Sequence, residues 1–290
     1  MPRNPSTSPT RRKLLLGGLA GLSLAFGPSL AQAEFSDIRE RGSLKVALYR
    51  ANLPFSDASA QGGVTGVDAA LAKALAERMK LGVQWLPFEA GENMGDDLRN
   101  MVWKGHYLGY GPADVLMQAP IDRHLISETR QAEFLLPYYR QRLVLLSHGT
   151  PSRDDLRTLA LDGLALGAET GTAAAGALLG YGGGRFRAQV HMSTTGLEAA
   201  RGVVTGKWPV AYVTQAQAET AIKGEADRAS YVMETADLPG TPANGWVIGM
   251  AIKSGQPELA KAMAQAMKTM QDDGTLAAIW RDNGLTWLTP

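Results

Sequence analysis

Pro137, inside Phe134-Leu135-Leu136-Pro137-Tyr138, constrains this chain more than any other residue. It lies between two short apolar runs, Val115-Leu116-Met117 and Leu143 to Leu146, each of which reads as a strand. Proline lacks a backbone donor and fixes its own φ, so no helix runs through it and the chain passes in extended form. A strand, a polar proline-bearing loop, F-x-x-P-Y and a second strand form the pattern of a chain crossing from one lobe to another. At 290 residues, there is enough chain for two cores.

On either side of that crossing the same grammar repeats. Ser43 to Tyr49 reads as a strand, with Asn52 to Phe55 as the loop leaving it. Val67, Leu71, Ala74, Leu75 and Met79 then share one helical face. Val83 to Phe88 is a strand, Asp96 to Lys104 a short helix with acids first and a lysine last, and Asp114 opens the next strand. Beyond Leu146, strands are expected over 164–169, 189–192 and 210–214, with helices over 172–180, 196–204 and 215–222. Trp246 to Ile252 reads as a return crossing. Leu259, Met263, Met267 and Met270 mark a C-terminal helix whose methionines are expected in the core rather than on a binding face. Alternating strands and helices imply an α/β protein with largely parallel sheets.

The first 33 residues have a character of their own. Thr10-Arg11-Arg12-Lys13 precedes a glycine-interrupted apolar stretch, and Ala31-Gln32-Ala33 supplies a small-x-small cleavage site. The apolar run is too short and glycine-rich to span roughly 30 Å of hydrocarbon. A twin-arginine-like signal peptide cut after Ala33 is therefore expected, and the mature chain is expected in the periplasm. The leader holds four of the 29 basic residues and no acid, leaving 25 basic groups against 28 acidic, a net of −3. That balance gives no reason to expect nucleic acid. With no cysteine, disulfides, thiolate metal sites and cysteine nucleophiles are excluded.

Gly66-Val67-Asp68 before the first long helix, Phe134 to Tyr138, Gly171-Thr172, and the closing Ile279-Trp280 occur in this order across the mature chain. Together they resemble the family 3 extracellular solute-binding proteins. The resemblance implies a type II periplasmic binding protein fold, with two Rossmann-like lobes joined by a two-strand hinge. Lobe 1 would hold residues 34–140 plus 246–290, and lobe 2 residues 141–245. Ligands of such folds sit between the lobes at the carboxyl ends of the strands.

Two departures stand out. Amino-acid binders of this family carry a T-x-E-R whose arginine holds the ligand carboxylate; here the matching stretch is Pro120-Ile121-Asp122-Arg123, farther from Phe134. Their second lobe carries an aspartate for the ligand ammonium, near D-A-V-V-x-D; here Pro209 to Thr214 puts proline and threonine in the acidic positions. A buried ammonium without a counter-charge costs several kcal/mol, so free α-amino acids are poor candidates. A narrower likeness accommodates these changes. Asn100 to Val115, with its tyrosine–glycine insert, and Pro137-Tyr138-Tyr139-Arg140 resemble the solute-binding-protein relatives associated with quinoprotein methanol dehydrogenases, the MoxJ/XoxJ type. This implies a non-enzymatic accessory that helps assemble or activate a periplasmic, pyrroloquinoline-quinone-dependent methanol dehydrogenase. The lanthanide enzyme is the preferred partner over the calcium one, with its cytochrome c as a further candidate.

Strand ends nominate the cleft. From the first lobe come Tyr49, Arg50, Phe55, Phe88, Glu89, Gln118, Pro120, Arg123, Tyr138 and Tyr139; from the second come Glu169, Thr172, Thr194 and Thr214; and Trp246 comes from the return crossing. This inventory suits an apolar polypeptide segment better than a zwitterion. Thr172 either caps its helix or leaves backbone N–H groups for an anion. Trp103, His106, Tyr107 and Tyr110, interleaved with glycines, are either anchors for a protein partner or rings folded back onto their own lobe. No metal-ligand spacing surrounds any histidine, and no cofactor is expected. Glu89 and Glu169 are the only cleft acids available for catalysis, and neither has neighbours that single it out, which leaves a lyase as a third reading. The second is an importer-coupled receptor for a small organic ligand that is not an α-amino acid.

Overall fold

A computed structural model describes residues 30–58, 63–236, 238–242 and 244–290, with side chains from Phe35 onward. The expected leader lies outside the described residues, apart from the backbone of its last four positions. These open helix α1 (Leu30–Arg41), which is followed by strand β1 (Ser43–Tyr49), the small hairpin β2 (Ala51–Asn52) and β3 (Ser56–Asp57), and α2 (Val67–Arg78). Next come β4 (Gly82–Phe88), α3 (Met94–Leu98), β5 (Val115–Pro120), α4 (Arg123–Glu128) and β6 (Ala132–Gln141). Further along lie β7 (Leu143–His148), α5 (Arg153–Thr158), β8 (Leu166–Glu169), α6 (Ala173–Gly180), β9 (Val190–Ser193) and α7 (Gly196–Val204). The last elements are β10 (Val210–Thr214), α8 (Gln215–Ala221), β11 (Tyr231–Glu234), β12 (Trp246–Lys253), α9 (Pro257–Asp272) and α10 (Thr275–Asp282).

Two five-stranded sheets result, ordered β4-β1-β5-β12-β6 and β11-β7-β10-β8-β9. Each has a parallel part, β4-β1-β5 and β10-β8-β9, extended by antiparallel strands. The chain leaves the first sheet at Gln141 and enters the second at Leu143, with Pro137 inside extended β6. It returns into β12, where Trp246 pairs with Gln141. The two crossing segments nearly touch at Gly245 (φ 67°): a Cβ there would overlap the Gln141 carbonyl, so only glycine fits.

Burial follows strand parity. On β7, Leu143 and Leu145 face the core under α6, and Val144 and Leu146 the core under α7. That is why all four positions read as one unbroken apolar run. In the first lobe Leu259, Met263, Met267 and Met270 are buried against α2 and its neighbours, as expected of the methionine stripe. Gly66 is held at φ 106° with the Phe55 carbonyl where its Cβ would stand. That close approach lets Asp68 N–H donate to Phe55 O at 2.8 Å and fixes the start of α2.

Two local expectations are corrected. The helix expected over 96–104 begins two residues earlier, because Asn93 caps it by accepting from Asp96 N–H at 3.0 Å, and it widens into a π-type turn over 99–103. The polar loop after β5 contains α4, capped by Asp122, which accepts from Leu125 N–H at 2.9 Å. A six-residue helix without an apolar face leaves no periodic signal.

Candidate functional site

The carboxyl ends of β1 and β4 face those of β8 and β10 across a gap containing three adjoining cavities of about 190, 250 and 250 Å3. Glu169, the last residue of β8, lines all three. Its Oε2 accepts from Gly196 N–H, the first residue of α7, at 2.8 Å. Burial raises the pKa of this carboxyl above its ordinary value, with Gly196 N–H and Gln217 pulling the other way. A carboxylate half-withdrawn from water, at the meeting point of three cavities, favours a cation or a hydrogen-bond donor as its occupant.

The rest of the rim is engaged locally. Thr172 caps α6, accepting from Ala175 N–H at 3.3 Å and donating to Glu169 O at 2.8 Å. Thr214 and Gln217 form a reciprocal capping box on α8. The Tyr49 hydroxyl donates to Asp97 at 2.8 Å, and burial, then the Asp97 charge, raises its pKa far above the ordinary tyrosine value. Asp97 is itself raised by burial, offset in part by the Gly91 N–H and the Tyr49 hydroxyl. Arg50 pairs with Glu89 at 3.0 Å in an exposed position, where such a pair is worth about 0–1 kcal/mol.

Of the nominated cleft residues, Tyr49, Arg50, Phe88 and Glu89 line one cavity, and Thr172, Thr214 and Trp246 another. Phe55, Tyr138 and Tyr139 lie in the first core instead, packed around Trp280: Tyr139 stacks on it at 5.7 Å and meets Phe55 at 5.6 Å. Three large rings next to a strand end satisfy burial better inside than out. Gln118 is buried at φ 61°, its N–H donating to the Tyr138 hydroxyl. Pro120 pairs with Ile248 of β12, and Arg123 is exposed in the first turn of α4; neither lines the three cavities. Thr194 lies outside them, at a separate groove beside β9. Sequence reasoning missed Asn52, Gln141, Arg201 and Gln217. Of these, only Gln217 had a readable signal, the T-x-x-Q of a capping box.

The aromatic insert divides. Trp103 and Tyr110 pack back against the first lobe, whereas Tyr107 is 88% exposed and Leu108 67% exposed. The His106 ring lies 4.3 Å from both Tyr107 and Tyr110, and the His106 backbone N–H donates to Tyr110 O at 2.8 Å. Positive φ at Gly105, Gly109 and Gly111 shapes the turn. Among the described residues no group of three or more His, Cys, Asp or Glu side chains could hold a metal ion, and no helix is long and apolar enough to cross a membrane.

No protein-family model and no curated protein matches this chain. Solved structures do. An ancestral cationic amino acid solute-binding protein, AncCDT-1, is 22% identical, with 87% of this chain covering 99% of that one at a TM-score of 0.68. A second structure describes that protein as a precursor of cyclohexadienyl dehydratase. A polar amino acid uptake substrate-binding protein from Streptococcus thermophilus is 16% identical, covering 87% and 91% with TM-score 0.62. An amino acid transporter substrate-binding protein from Streptococcus pneumoniae, bound to L-arginine, is 19% identical, covering 87% and 98% with TM-score 0.60. The chain has the fold they share, the type II periplasmic binding protein fold.

Proposed function

We propose that this chain is a non-enzymatic periplasmic binding protein whose partner is another protein: a pyrroloquinoline-quinone-dependent methanol dehydrogenase, in its lanthanide form, which it helps to assemble or activate. The observation that carries the reading is the Tyr107–Leu108 tip. Two large apolar side chains stand in solvent on a turn held by His106 stacking on Tyr110 and by backbone hydrogen bonds, within the insert on which the resemblance to the dehydrogenase-associated relatives rests. A pre-ordered aromatic anchor loses little entropy on docking. The cleft supports the same direction, since Arg123 stays outside its cavities and a ligand carboxylate would lack that partner. Against catalysis, Glu89 is 73% exposed and tied to Arg50. The test is biolayer interferometry with purified methanol dehydrogenase. Wild type should bind, and Tyr107→Ser with Leu108→Ser should bind at least tenfold more weakly; no binding by wild type refutes the reading.

A second reading has its own observation. The cavities meeting at Glu169 are of metabolite size, and the similar solved proteins are described as amino acid binders. An importer-coupled receptor for a small cationic or neutral ligand, not an α-amino acid, would use Glu169 as its anchor. A metabolite panel read by thermal shift should then show a stabiliser whose effect is lost in Glu169→Gln.

A further inference from the structure

Strand β9 is the edge of the second sheet, paired on one side with β8 and on the other with no strand among the described residues. Its sequence, Val190-His191-Met192-Ser193, contains none of the usual guards of an edge: no proline, lysine or acid. Between β9 and α7 runs an open groove of about 410 Å3. Trp208 forms its floor, buried against Gly167 and Gly202, where a Cβ at either glycine would overlap the indole. The indole Nε1 donates to Ala199 O at 2.8 Å, so the ring is fixed. His191 lies parallel to it at 6.1 Å, and Met192, 43% exposed, borders the groove.

The groove is cationic. Lys207 places Nζ 4.7 Å over the Trp208 ring, Arg201 lines the wall, and Arg187 stands just ahead of β9. None of these three forms an ion pair among the described residues. Glu198 is the acid in the lining, and its Oε2 accepts from Thr194 N–H at 3.2 Å. Glu198 and Arg201 also line the interlobe cavity that contains Asn52 and Glu169, so groove and cleft meet around α7.

We infer that an extended segment of the partner protein, alternating acidic and apolar residues, passes from the interlobe cleft across Arg201 and adds to β9 as a further strand. Strand addition takes affinity from main-chain hydrogen bonds and specificity from alternate side chains: the acids, all on the α7 face, would meet Arg201 and Lys207, and the apolar residues would lie on the opposite face beside Val190. The inference rests on the reading that the partner is a protein; the groove supplies the chemistry of the segment it holds.

Fluorescence anisotropy at low salt with three labelled decapeptides tests it: five Asp-Val repeats, five Lys-Val repeats, and the Asp-Val peptide N-methylated at alternate amides. The Asp-Val peptide should bind at least tenfold more tightly than either of the others. The double variant R201E/K207E should reverse the preference between the two charged peptides. Hydrogen exchange on the unmutated chain should show residues 190–193 protected by the Asp-Val peptide, which keeps the test valid if the variant fails to fold. No binding up to 1 mM, equal binding of both charges, or protection confined to the cleft overturns the inference. Dehydrogenase that binds R201E/K207E as well as wild type sinks the groove while leaving the proposed function standing. Peptide binding without dehydrogenase binding does the reverse.

Discussion

Asp68→Asn is expected to remove a pH dependence of stability that the wild-type chain carries between about pH 4 and pH 7. Asp68 stands in the first turn of α2, fully buried; its Oδ1 accepts from the Tyr138 hydroxyl at 2.8 Å and its Oδ2 has no hydrogen-bond partner. The Gln118 amide faces the carboxylate without reaching hydrogen-bond geometry, leaving its own Nε2 unpaired. Burial raises the pKa of the carboxyl to about 7, against smaller opposing contributions from Tyr138 and Gln118. Because the folded pKa lies above the unfolded one, the folded state holds a proton that the unfolded chain releases above about pH 4. Stability is therefore full at low pH, falls as pH rises through that window, and levels off above pH 7, where both states are ionised. Three units at about 1.4 kcal/mol each give an upper bound of about 4 kcal/mol. At roughly 2–4 °C per kcal/mol, the Tm of Asp68→Asn minus that of wild type should grow by on the order of 10 °C between pH 4 and 7.5. Asp97, Asp114 and Glu169, also raised by burial, occur in both proteins and cancel in the difference. Thermal denaturation by circular dichroism in matched buffers reads it. A difference that stays flat across the range would refute the buried-proton account.

Four further outcomes are expected. Tyr138→Phe removes both the donor to Asp68 and the acceptor of Gln118 N–H, so a loss of about 2–4 kcal/mol should appear as a lower urea midpoint with unchanged m. Gly202→Ala sets a methyl against the fixed Trp208 indole and should cost about 2–3 kcal/mol by the same measurement, with altered Trp fluorescence. Tyr107→Ser with Leu108→Ser should leave stability within about 0.5 kcal/mol of wild type, so that lost dehydrogenase binding can be assigned to the tip itself. Arg123→Ala should change neither Tm nor any metabolite-induced thermal shift; a lost shift would put that cation back in the ligand site.

Most strands and the helices α2, α7 and α9 were legible because their signals are local. Leu143 to Leu146 reads as a run because helices cover both faces of its sheet, and the methionines of α9 keep helical spacing because one face is buried. Helix α1, which has few large apolar residues, and the short α4, α5 and β11 were not. The site was half legible. Naming residues at strand ends found Tyr49, Glu169 and Thr214, because parallel strands deliver their carboxyl ends to one side. It misplaced Phe55, Tyr138 and Tyr139, because the same strand ends also feed the core around Trp280.

What the sequence determined by itself is the list of parts: the extended crossing at Pro137, the turn glycine at position 66 and the threonine that opens α6. Each depends on the backbone within a few residues. The tertiary structure alone decided which of those parts face one another. It made Glu169 the shared wall of three cavities, left β9 paired on one side only among the described residues, and closed Asp68 away from water. These are properties of contacts between residues far apart in the chain, and no local propensity encodes which strand becomes an edge or which carboxylate loses its solvent.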